Sequence, residues 1–98
     1  MDKDRIIETL RRHQPELNDA GIVHLRLHGS QARGDGSALS DADLIADLDS
    51  AKRFTILRIV GIQNRISDLL GLPVDLSASH TLKPRVRDGA ERNSILVF

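Results

Sequence analysis

Hydrophobic and polar positions alternate most clearly between Ile22 and His28. Val23, Leu25 and Leu27 fall on one side, and His24, Arg26 and His28 on the other. A period of two predicts a strand with one buried face. Upstream, Ile6, Ile7 and Leu10 recur at helical spacing behind Asp2, a suitable N-cap. Pro15 ends that helix or opens a new short turn, and Gly21 closes the region. A second alternation runs from Asp41 to Asp49 and predicts the next strand, with Ala42, Leu44, Ala46 and Leu48 on one side. The longest helical pattern covers Lys52 to Leu70, with Leu57, Val60, Ile66, Leu69 and Leu70 as its apolar stripe. Gly71 and Pro73 stop it. Leu72 to Leu76 reads as a short strand and Pro84 to Asn93 as a helix opened by proline. Ser94 to Phe98 is an apolar tail expected to pack or pair. No repeat, linker or low-complexity tract interrupts the chain, so residues 1–98 are expected to form a single domain.

The second strand carries an anomaly. Asp41, Asp43, Ile45, Asp47 and Asp49 share one side, an odd composition for a core face and a natural one for a face open to a site. Two carboxylates one residue apart on a strand point the same way. Held side by side they repel unless a cation lies between them. With oxygen donors and neither Cys nor His in the pair, the expected cation is hard, Mg²⁺ rather than zinc. Ahead of them stands Gly29-Ser30, at the C-terminal end of the first strand and separated from Asp41 by ten residues. A small-residue turn opening a helix can hold phosphates on its backbone N–H groups. Gln31 to Gly34 offers one such helical turn, followed by a loop to Ser40. Together the segment reads as a metal–triphosphate site.

Composition narrows the partners. Fourteen basic residues balance fourteen acidic ones, so no net field draws the chain to nucleic acid or to an anionic membrane. The absence of cysteine excludes a disulfide framework and a thiolate zinc site. No stretch approaches a membrane span, and Met1 to Asp4 does not resemble a signal peptide, so a cytoplasmic location is the expectation. Phe54 and Phe98 are the only aromatic residues, too few for base stacking. The four histidines lack metal-ligand spacing and read as structural or surface residues.

The run Leu27-His28-Gly29-Ser30-Gln31-Ala32-Arg33-Gly34-Asp35, followed by Ser40-Asp41-Ala42-Asp43-Leu44, resembles the minimal nucleotidyltransferase family of the polymerase-β superfamily. Val74-Asp75-Leu76 looks like that family's third acidic strand, and Leu82 to Arg87 with the apolar tail is similar to how its small members finish. His28 stands where the family often has Phe or Tyr. The resemblance implies an α+β fold, a small mixed sheet with helices packed on one side. It also implies that Asp41, Asp43 and Asp75 are catalytic metal carboxylates and that Gly29 and Ser30 hold the nucleotide phosphates. Many such proteins are encoded beside a HEPN-domain partner in toxin–antitoxin pairs, and some are antitoxins that transfer AMP from ATP to a tyrosine of the toxin.

The chemistry can be laid out from the residues. In-line attack on an α-phosphate displaces pyrophosphate, and two Mg²⁺ ions about 3.5–4 Å apart would stabilise the attacking and leaving oxygens. Asp41 and Asp43 would bridge the ions, while Asp75 would complete the ion at the acceptor hydroxyl and take its proton. Ser30 and the N–H groups after Gly29 would bind the β- and γ-phosphates of ATP. Arg33 is within sequence reach of the same phosphates, or pairs with Asp35 to hold the loop. Blander roles exist: Asp41 as a turn residue, Asp75 as a cap for the following loop, Asp47 and Asp49 as solvated strand-end residues. With no basic excess and no stacking platform, a protein acceptor is favoured over nucleic acid, and its phenol over an aliphatic alcohol. The alternative is a non-catalytic antitoxin that neutralises the same partner by occlusion. The apolar tail suggests a cover supplied by a partner or by a homo-oligomer.

Overall fold

The computed structural model describes residues 3–29 and 41–98. The expected Asp2 cap and the stretch from Ser30 to Ser40, which includes Arg33, lie outside the described residues. In chain order the elements are α1 (Lys3–Arg12), α2 (Gln14–Ala20), β1 (Ile22–His28), β2 (Ala42–Leu48), α3 (Ile56–Leu70), β3 (Val74–Ala78), a 3₁₀ turn (Ser79–Thr81), α4 (Pro84–Asn93) and β4 (Ile95–Leu96). The strands form one sheet in the order β3-β2-β1-β4. Strand β1 is antiparallel to β2 and β4, whereas β2 and β3 are parallel. The fold is therefore α+β with a mixed sheet, as the resemblance implied.

The first turn of α2 contains Pro15, so proline opens a helix here rather than ending one. Gly21 closes it in a left-handed conformation at φ 112°, and the ring of Phe54 occupies the space a side chain there would need. Strand β1 departs from simple alternation. Its register shifts between Ile22 and His24, and this bulge turns Ile22 inward beside Leu25 and Leu27 while Val23 is left 48% exposed. The expected inward place of Val23 is thus corrected.

The long helix also starts later and faces differently than its pattern suggests. Asp49 holds a turn by accepting from Ala51 N–H at 2.9 Å, and Lys52 N–H donates to Asp49 C=O at 3.0 Å. Thr55 then caps α3, its hydroxyl accepting from Arg58 N–H at 3.1 Å. The buried stripe is Ile62, Ile66 and Leu70, while Leu57 is 83% exposed and Val60 is exposed as well. With so many apolar positions on α3, several faces satisfy a helical period, and packing on β3 and α1 selects one.

Strand β3 begins at Val74, not Leu72. Pro73 has no N–H to give a ladder, and its carbonyl instead accepts from Ala42 N–H at 2.9 Å, which starts the β2–β3 pairing. The apolar tail is covered in part by the chain itself. Ile95 and Leu96 pair with Leu27 and Arg26, Val97 is buried, and Arg11 Nε donates to Val97 C=O at 2.6 Å. Leu96 alone of the tail stays exposed, at 45%, on the edge strand. The core runs from Ile6, Leu10 and Leu17 through Leu25, Leu27, Leu44 and Leu76 to Ile62, Ile66 and Leu70, so helices bury one face of the sheet. Among the described residues no helix is long and apolar enough to cross a membrane.

Candidate active site

The site follows from register. Residues paired directly across neighbouring strands share a sheet face. Leu27 pairs with Leu44 and Leu44 with Leu76, all buried under the helices. The next row, one residue along, therefore lies on the opposite face: His28 beside Asp43, and Asp43 beside Asp75. Arg26, Ile45 and Ser77 form the adjoining row of that same face. His28, Asp43, Leu44, Ile45, Asp75, Ser77 and Leu82 line a cleft of about 190 Å³.

Gly29 follows β1 at φ 78°, a conformation that disfavours a side chain. The carboxylate of Asp43 lies against the place a Cβ would take, with Asp43 Cγ 3.3 Å from it. The glycine is needed to seat the acid.

Asp43 is half-buried, and burial is the largest influence lifting its carboxyl above the ordinary carboxylate value. The charges of Asp75 and Asp41 push the same way, and His28 opposes them. The structure thus brings together Gly29, Asp43 and Asp75. Asp41 is exposed one residue before β2, near enough to repel Asp43. Among the described residues no group of three or more His, Cys, Asp or Glu side chains converges closely enough to hold a metal ion. The donor set nonetheless fits a hard divalent cation: oxygen-only carboxylates whose mutual repulsion a positive ion would relieve.

His28, expected as a structural or surface residue, borders the acid row. Its Nδ1 is buried and has no hydrogen-bond partner among the described residues. Alternation along β1 had already placed it on the polar side; only the antiparallel register shows that Asp43 faces it. Asp49, expected only as a solvated strand-end residue, holds the turn after β2 by accepting from Ala51 N–H.

The sequence profile of the nucleotidyltransferase domain family matches residues 3–97. The chain belongs to this nucleotidyltransferase family. It is 30% identical over 94 residues, 94% of each chain, to a Methanocaldococcus jannaschii protein named "Putative protein adenylyltransferase MJ0126". It is 27% identical over 95 residues to the protein adenylyltransferase MntA of Thermococcus cleftensis, covering 96% of this chain and 94% of that one. Among solved structures, one described as a "putative minimal nucleotidyltransferase" superposes with a TM-score of 0.80 at 30% identity, over 97% of this chain and 95% of that one. A toxin–antitoxin structure with AMP-PNP shares the fold at a TM-score of 0.71 and 17% identity, over 100% of this chain and 73% of that one.

Proposed function

We propose that this nucleotidyltransferase is a Mg²⁺-dependent protein adenylyltransferase that moves AMP from ATP to a tyrosine of a HEPN-domain toxin, for which it is the antitoxin. The observation that carries the reading is the Asp43–Asp75 pair, in register on an open sheet face and seated against the Gly29 turn. Full-length similarity to proteins named as protein adenylyltransferases supports the choice of acceptor class.

Asp41, Asp43 and Asp75 would hold the metal, which when bound supplies charge neutralisation at the phosphates and lowers the pKa of the acceptor hydroxyl. The Gly29 backbone and Ser30 would hydrogen-bond the β- and γ-phosphates, so that the leaving pyrophosphate is stabilised as its charge grows. Arg33 would add a charge-assisted contact to the same oxygens. Asp75 accepts the proton as the acceptor oxygen attacks the α-phosphorus and the bond to pyrophosphate breaks. The cleft beside Asp43 and Asp75 has an apolar flank in Ile45 and Leu82, suited to an aromatic ring.

The test is to incubate the chain with its HEPN-domain partner, ATP and Mg²⁺, and to weigh the partner intact. A gain of one or more AMP masses, lost in Asp43→Ala, is expected. A complex that forms with no mass change identifies a non-catalytic, occluding antitoxin instead.

A further inference from the structure

On the far side of the molecule, α3 turns apolar residues to solvent. Ile56 is 81% and Leu57 83% exposed, and Val60 stands beside them at 41%. Gly61 follows, in the middle of the helix, where glycine is disfavoured. A Cβ added there would meet nothing within 4 Å, so among the described residues no contact calls for a glycine. Next to it lies a groove of about 370 Å³ between α2 and α3, floored by Leu17, Ala20 and Ile62. An exposed apolar stripe, a gap that lets another backbone come close and an adjoining groove together fit a helix laid along α3.

Charge says what kind of helix. From Ala51 to Ser67 the chain carries Lys52, Arg53, Arg58 and Arg65 and no carboxylate, although its net charge is zero. Arg65 is satisfied by Glu16, through bonds of 3.0 and 2.9 Å. Arg58 donates to the carbonyls of Arg53 and Ala20 and stacks over the Phe54 ring at 5.1 Å, but meets no carboxylate among the described residues. Arg53 likewise has none. These cations gather at the N-terminal end of α3, where the helix dipole already favours negative charge. A second copy of the same face would set arginine against arginine.

We infer that the outer face of α3 docks an amphipathic helix of a protein partner, one presenting apolar residues to Leu57 and Val60 and carboxylates to Arg53 and Arg58. The inference rests on the reading above for its partner, the HEPN-domain acceptor. Because α3 covers the sheet face opposite the acid row, a partner held there leaves the cleft open. Holding and modifying the partner then belong to different surfaces.

Calorimetric titration with the HEPN-domain partner tests this, using the full chain and its Leu57→Glu, Arg58→Glu and Gly61→Leu variants. Each variant is expected to weaken Kd at least tenfold. Melting points should hold for Leu57→Glu and rise for Gly61→Leu, since both positions are exposed and leucine is the better helix former. Arg58→Glu gives up two carbonyl hydrogen bonds and its stack over Phe54, so its affinity is read at a temperature well below its own melting point. Unchanged affinity in the variants overturns the docking surface. So does a wild-type dimer, seen by sedimentation, that dissociates in Leu57→Glu. Binding to phosphatidylserine vesicles or to single-stranded RNA that the variants lose, with partner affinity unmoved, overturns it too. A wild-type chain that binds tightly, loses affinity in the variants and yet transfers no AMP refutes the adenylyl-transfer reading alone.

Discussion

Replacing Gly29 by alanine isolates the contact that seats Asp43. Two costs are expected. Holding a non-glycine residue at φ 78° costs roughly 1–2 kcal/mol. Forcing a methyl group against the Asp43 carboxylate adds overpacking of roughly 1–3 kcal/mol, toward the lower end because the neighbour is a side-chain tip that can swing. The sum, about 2–4 kcal/mol, is a large share of the stability of a 98-residue chain. At roughly 4–8 °C per kcal/mol, the melting point should fall by at least about 8 °C. Thermal and urea unfolding followed by circular dichroism read this directly. The second measurement is the double variant Gly29→Ala with Asp43→Ala, which removes the clash but keeps the backbone strain. A coupling energy of about 1–2 kcal/mol between the two sites is expected. A single variant costing under about 0.5 kcal/mol, or two costs that simply add, would falsify the claim that this glycine makes room for the acid.

Other expectations are equally direct. Asp43→Asn should raise the melting point in metal-free buffer at neutral pH, because the folded carboxyl titrates above its ordinary value and its charged form costs stability. That gain should shrink as the pH falls through the folded value toward the ordinary carboxylate range; a gain that grows on acidification reverses the sign and refutes the argument. Ser30→Ala should slow AMP transfer by roughly ten- to a thousandfold, the loss of one donor to the leaving pyrophosphate at about 2–4 kcal/mol, and unchanged single-turnover kinetics would leave that turn without a catalytic part. Chelation with EDTA should abolish binding of a fluorescent ATP analogue, with Mg²⁺ restoring it; metal-independent binding of equal strength would remove the carboxylates from nucleotide recognition.

The faces of the strands were more legible than the packing around them. A strand period of two is enough to put Asp43 with its alternate neighbours on one face, and the sequence shows Gly29 at the end of the preceding strand. Neither could show that β2 and β3 run parallel in a register that sets Asp75 beside Asp43, since pairing depends on a crossover through the whole of α3. Val23 was misplaced because a bulge breaks the period that predicted it. The stripe on α3 was misread for a different reason. Ile56, Leu57, Ile59, Val60, Ile62, Ile66, Leu69 and Leu70 surround much of the helix, so periodicity alone does not say which side meets the sheet. That His28 lies beside Asp43 could not be read from the sequence, because it depends on cross-strand register.

The alternation along β2 has a consequence for which length changes the chain can tolerate. Ala42, Leu44 and Ala46 face the core, while Asp43 and Ile45 face the cleft. Deleting one residue within this strand turns every later side chain over, sending leucine to water or aspartate under the helices. Inheritable insertions and deletions are therefore confined to the connections outside the strand, and within it this protein can change by substitution but not by length.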